Sequence, residues 1–238
     1  MPIIPLRDIN KLERIPFQYV TVWLIGACIL VYLYQTLVLG SGRDGDAFIL
    51  GYAMIPAVLS GDASLPAKLG HAPAWATLIS YMFLHGGILH IAGNMLFLWV
   101  FGDNVEDELG HVKFLLFYFV CGIISALCHL MIDPGSPAPL IGASGAISGV
   151  LGAYLVLHPK VPVWVLVFWR IPLRLPAWAV LGFWIGFQVF MVLRGANTAG
   201  AGEDSVAWVA HIGGFIAGAL LILPLRRERS ARTVGRWP

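Results

Sequence analysis

Six stretches of this chain are apolar over lengths near the roughly 20 residues that a helix needs to cross a hydrocarbon layer. They cover residues 17–39, 84–101, 114–132, 144–157, 176–193 and 206–223, and none contains Asp, Glu, Lys or Arg. A water-soluble core has no place for so many. Of the 238 residues, 58% are hydrophobic and 12% charged, against about 25% charged in soluble domains. The pattern predicts an all-α, polytopic membrane protein built as a bundle of six transmembrane helices. Residues 17–223 form its membrane domain, between an N-terminal segment, 1–16, and a basic tail, 224–238. Arg7, Lys11 and Arg14 precede the first run as in a signal peptide. That run is longer than a signal-peptide core and lacks a small-residue cleavage site, so it reads as a retained span. The 144–157 run is short and rich in glycine, which predicts a helix buried among others.

The basic residues give the orientation. Counted by connection, 12 Lys and Arg fall on one side and 3, Arg43, Lys68 and Arg194, on the other. Such a bias places both termini in the cytoplasm. The Gly40–Tyr81 segment and the Asp133–Ile141 and Gly195–Ser205 loops then face outward. The first of these carries Tyr52, Met54, Ile55 and Trp75 and is expected to lie partly in the interface. A net charge of +2 excludes the dense basic face that nucleic acid requires. Cys28, Cys121 and Cys128 lie inside apolar runs, which argues against a disulfide framework, and no Cys/His spacing suits zinc. The expected compartment is a bacterial cytoplasmic membrane.

Polar side chains inside spans are costly and therefore informative. Here they include Gln35, His129 and Gln188, but one set clusters toward the outer ends of spans two, four and six. His85 precedes His90 and Asn94, which are four apart and share a helix face. Ser144 opens span four after an irregular loop. His211 lies in the first turns of span six at a matching depth. Each has a plain structural explanation: interhelical hydrogen bonds for the first three and His211, a helix cap for Ser144. Gly214 and Gly218 form a GxxxG pair that suits close helix packing. Together the set supplies a nucleophile, a base and oxyanion donors. With no carboxylate near His211, the sequence reads as a dyad. No HExxH pattern or pair of intramembrane aspartates offers a metal-dependent or aspartyl route. A proton path through His85, His90 and His211 would call for charged residues at the midplane, and the spans have none.

In three motifs the sequence resembles the rhomboid family of intramembrane serine proteases: His85-x4-His90-x3-Asn94, Gly142-Ala143-Ser144-Gly145, and Ala210-His211-Ile212-Gly213-Gly214. The segment Gly102-Asp103-Asn104-Val105-Glu106-Asp107 is also similar to the family. The resemblance implies Ser144 as nucleophile and His211 as base. It implies His90, Asn94 and the Ser144 amide as oxyanion donors, with His85 in support. Gly142, Ala143 and Gly145 would let a substrate backbone approach. No metal or cofactor is implied. The implied partners are single-span membrane proteins cleaved in or near their membrane helices. A catalytically silent relative that binds such helices is the alternative. Two positions depart from the family pattern. Ala76 follows Trp75 where many members have arginine, and Ser148 stands where some have a tyrosine packed on the histidine.

Overall fold

The structure, a computed structural model, describes residues 3–40, 42–69, 71–168, 170–195 and 207–226. The Gly195–Ser205 loop beyond its first residue and the tail beyond Arg226 therefore lie outside the described residues. Four helical stretches are long and apolar enough to cross a membrane: Tyr19–Leu39, Ile88–Leu109, His111–Ile132 and Trp208–Leu225. The first is α1 (Tyr19–Leu33), which continues as a widened π turn over Tyr34–Leu39. The others are α5 (Ile88–Leu109), α6 (His111–Ile132) and α9 (Trp208–Leu225). Two apolar helices are shorter, α7 (Ser144–Leu157) and α8 (Ala177–Leu193).

Helix α7 is the axis of the bundle. Every residue from Gly145 to Tyr154 is buried. Its glycine-rich sequence explains this, because neighbouring helices approach its backbone directly. A methyl group on Gly218 of α9 would run into the carbonyl of Gly149, and one on Gly214 into the carbonyl of Gly145. The GxxxG pair thus seats α9 on α7. Ser125 Oγ of α6 donates to the Ala210 carbonyl at 2.7 Å and fixes the first turn of α9 from the other side.

Short helices α2 (Arg43–Tyr52), α3 (Pro56–Ser60) and α4 (Thr77–Ser80) fill the long connection between α1 and α5. This segment was expected in the interface. Part of it packs into the protein, with Met54, Ile55 and Ala57 buried. Met54 and Leu140 exchange both backbone hydrogen bonds, at 3.2 and 2.8 Å, which ties the connection to the loop before α7. Trp75 is 70% exposed. With Ala76 in place of arginine, hydroxyls hold the turn: Thr77 Oγ1 donates to the Ala74 carbonyl and Ser80 Oγ to that of Tyr52, both at 2.6 Å.

The opposite end of the bundle corrects the all-α expectation. Strands β1 (Ile3–Asp8), β2 (Pro162–Val167) and β3 (Ile171–Pro176) form an antiparallel sheet in the order β1-β2-β3. The N-terminal segment thus joins the connection between α7 and α8. Alternation explains β2: Val163 and Val165 are buried while Trp164 and Leu166 are half-buried.

The second span is also longer than hydropathy indicated, since α5 continues through Asp103, Glu106, Asp107 and Glu108 to Leu109. Asp103, Glu106 and Asp107 are tolerated because they receive backbone donors, and Glu108 pairs with Arg14. Glu106 accepts from the Val20 and Thr21 amides at 2.9 and 2.8 Å and from Thr21 Oγ1 at 2.7 Å. It thereby satisfies the otherwise free N–H groups at the start of α1. Asp107 accepts from the amides of Glu13, Arg14 and Ile15 at 2.7–3.0 Å. His111 donates Nδ1–H to Glu106 at 2.6 Å. His158 is half-buried, with Nδ1 3.3 Å from the side-chain amide nitrogen of Asn10.

Candidate active site

Ser144 is the first residue of α7, and Ala143 occupies the capping position before it. Ser144 is therefore not the capping residue of α7. Its hydroxyl lies 2.8 Å from Nε2 of His211, 67 residues away on α9. Geometry thus favours the paired reading of Ser144 over the capping one. Ser144 is half-buried, whereas His211 is 8% exposed. The contact depends on the glycine seam, which brings the α7 and α9 backbones close enough for a short hydroxyl to reach the ring.

The loop before Ser144 closes over α5. Gly142 has φ +117°, a conformation that side chains rarely adopt. A Cβ there would meet His90 Nε2 at 2.6 Å and Asn94 Nδ2 at 3.6 Å. His90 and Asn94 therefore lie directly beside the turn that presents Ser144, and the Gly142 amide holds the turn by donating to the Tyr81 carbonyl at 2.9 Å. Asn94 is buried, and its Nδ2 has no hydrogen-bond partner among the described residues. A free amide donor aimed beside a candidate nucleophile is suited to a developing oxyanion.

His85 lies at the same end. Its ring packs edge-on against His90 with centroids 5.2 Å apart. The π turn at the end of α1 puts Gln35 against its backbone. Gln35 Nε2 donates to the His85 carbonyl at 3.4 Å, and Gln35 Oε1 accepts from its amide at 3.3 Å. His85 Nε2 is buried without a partner among the described residues. Gly145 follows Ser144 in the first turn of α7. Its absent side chain faces Ser125 Oγ and Tyr81 Oη, so the space it leaves is filled by α6 and by the segment before α5. Ala143 is fully buried.

Ser148 is turned inward, and its Oγ donates to the Ser144 carbonyl at 2.6 Å. The ring that some family members place there is supplied from elsewhere: Trp184 of α8 lies 5.9 Å from the His211 ring at 37°. Gln188, also on α8, is fully buried with Oε1 2.8 Å from His211 Nδ1. Sequence reading noted this glutamine as a polar residue within a span but gave it no role. Its partner lies 23 residues away on another helix, so no local spacing marks it. Beside Trp184, an apolar groove between α5 and α8 is lined by Phe97, Val180, Phe183 and Phe187, with Ile3 and Pro5 of β1 at its sheet end.

Comparison with known proteins gives the same relationship as the motifs. The family described as Rhomboid domain matches residues 72–228. The chain is 29% identical over 171 residues to "Rhomboid protein 1, mitochondrial" of Saccharomyces cerevisiae, covering 68% of this chain and 46% of the yeast protein. It is 35% identical over 153 residues to "Rhomboid protease GluP" of Bacillus subtilis, covering 63% of this chain and 27% of that protein. It is 28% identical over 165 residues to "Rhomboid-like protein 11, chloroplastic" of Arabidopsis thaliana, covering 67% and 55% respectively. The chain thus spans between about a quarter and just over half the length of these relatives. They come from a bacterium, a yeast and a plant, and two bear organellar names. The apolar helices and the family match together make this an integral membrane protein.

Proposed function

Because the chain belongs to the rhomboid family, we propose that it is an intramembrane serine endopeptidase, cleaving single-span membrane proteins in or near their transmembrane helices. The observation that carries this reading is the 2.8 Å approach of Ser144 Oγ to His211 Nε2. In this reading α1 and α5–α9 are the six spans and both termini are cytoplasmic, so the site lies near the outer face. Ser144 loses its proton to His211 Nε2 as Oγ attacks the scissile carbonyl carbon. The carbonyl oxygen becomes an oxyanion held by Asn94 Nδ2, His90 and the Ser144 amide. The positive end of α7 adds to that field. His211 then passes its proton to the leaving amine, and the C–N bond breaks to leave an acyl ester on Ser144. Water, deprotonated by His211, hydrolyses the ester and restores the hydroxyl. A helical substrate must unwind to expose its amide bond, which favours substrates with Gly or Pro near the site.

The test is cleavage in liposomes of a single-span substrate with small residues near its outer end. Wild type should cut within the span. Ser144→Ala and His211→Ala should be silent. Activity surviving Ser144→Ala overturns the assigned nucleophile. If wild type cuts no such substrate and Ser144 resists a fluorophosphonate probe, the helix-binding, non-proteolytic alternative replaces this reading.

A further inference from the structure

We infer that Gln188 is the third member of the site, a positioning residue that sets the tautomer and orientation of His211, so that the base is held by α8. The inference rests on reading Ser144 and His211 as nucleophile and base.

The argument follows from donor and acceptor identities. Gln188 is fully buried, so its amide group needs partners within the protein. One of its neighbours, the Trp184 carbonyl, lies 3.4 Å from Nε2 and can only accept. Only the amide NH2 can donate to it, which turns Oε1 toward His211. Oε1 in turn can only accept, at 2.8 Å, from His211 Nδ1. Nδ1 therefore carries the hydrogen in the neutral ring, and Nε2 is left with its lone pair. That lone pair points at Ser144 Oγ, 2.8 Å away, as a general base requires. A single carbonyl on α8 thus fixes the amide, the amide fixes the ring, and the ring faces the serine.

The same chain of bonds gives His211 a fixed orientation where no carboxylate pairs with it among the described residues. An amide oxygen fixes the tautomer as an aspartate would, but it contributes no full negative charge to the imidazolium. It also makes the base sensitive to α8. Trp184 and Gln188 both contact His211 from that helix, and they are four apart, on one face. Displacing α8 removes an aromatic neighbour of the ring and its acceptor together.

The experiment uses the full-length protein in liposomes with the single-span substrate described above. Cleavage kinetics are paired with 15N NMR of the histidine rings, with His211 assigned through His211→Ala. Gln188→Leu removes the acceptor while keeping an apolar fit. It should lower kcat about 10–100-fold and leave KM within about twofold, as expected for a residue that orients a catalytic group. Gln188→Glu retains an acceptor oxygen and should recover most of the loss. In the spectrum, His211 of wild type should be protonated at Nδ1, with the pattern shifting toward Nε2–H in Gln188→Leu. An Nε2–H ring in wild type overturns the inference, as does a Gln188→Leu variant with unchanged kcat and an unchanged ring. Should Gln188→Leu not fold, the wild-type spectrum and Gln188→Glu still decide. Should wild type itself be silent and Ser144 unlabelled, the protease reading fails separately. The spectra then judge the positioning role, which a tautomer shift between wild type and Gln188→Leu sustains and an unchanged ring overturns.

Discussion

Buried polar side chains gather at both ends of the bundle, and the two groups are used differently. At the sheet end, Glu106 and Asp107 accept six bonds from the chain leading into α1, and Glu106 a seventh from His111. Arg14 adds an ion pair to Glu108 at 3.3 Å. At the other end, Asn94 Nδ2 and His85 Nε2 are buried with no partner among the described residues, beside a Ser–His pair. Hydrogen bonds to a buried charge contribute about 1.5–3 kcal/mol each, whereas an unsatisfied buried group costs about 1–3 kcal/mol. Polarity at the sheet end therefore builds the fold, and at the other end it is maintained at the expense of the fold. Asn104 Oδ1, two residues before Glu106, breaks the pattern as an unsatisfied acceptor.

The contrast breaks if mutations at the two ends have the same signature. The largest effect belongs to Ser144→Ala, which should lower cleavage by at least about 10⁴-fold while the unfolding midpoint stays at the wild-type value. Next is Glu106→Ala, which strips a buried network and should destabilise the protein by about 3–5 kcal/mol. Detergent unfolding would measure it, and the fraction that remains folded should keep the wild-type kcat. A lowered kcat in that folded fraction would erase the distinction between the ends. Asn94→Ala should reduce kcat about 10²–10³-fold, as for loss of one oxyanion donor, with stability equal to or above wild type because an orphaned donor is gone.

The smallest effect sharpens the sheet end itself. Tyr154 donates its hydroxyl to Asp8, yet burial outweighs that bond and raises the Asp8 carboxyl above its ordinary value of 3.8. The folded protein then holds this proton at a higher pH than the unfolded chain does. The stability linked to that proton is complete below the unfolded value and is lost as pH rises through the folded one. Asp8→Asn should flatten that decline in an unfolding series from pH 4 upward. A steeper decline would show that Asp8 is stabilised as a carboxylate.

Much of the site was legible because its chemistry is written in short motifs. Ser144 beside glycines and His211 four residues into a helix carry a spacing that the fold preserves. Gln188 was not legible, since its meaning lies in two atoms on other residues and not in its neighbours. The helices were legible up to the first charge. Hydropathy ends span two at Phe101, but α5 runs to Leu109, because its acids cap α1 more than 80 residues earlier in the chain. The sheet was hidden for the same reason. Neither Ile3–Asp8 nor Pro162–Val167 is long, and what makes each a strand is the other.

That pairing sets a schedule. The partners of β1 begin at residue 163, and a ribosome adds about 5–20 residues per second. The first strand therefore emerges on the order of ten seconds or more before anything exists for it to pair with. The carboxylates of α5 arrive well before β2 does. They are placed to gather the start of α1 first, leaving the sheet to close after α7 has been made. Assembly at that end is ordered by synthesis, with the strand nearest the N-terminus among the last pieces to find its place.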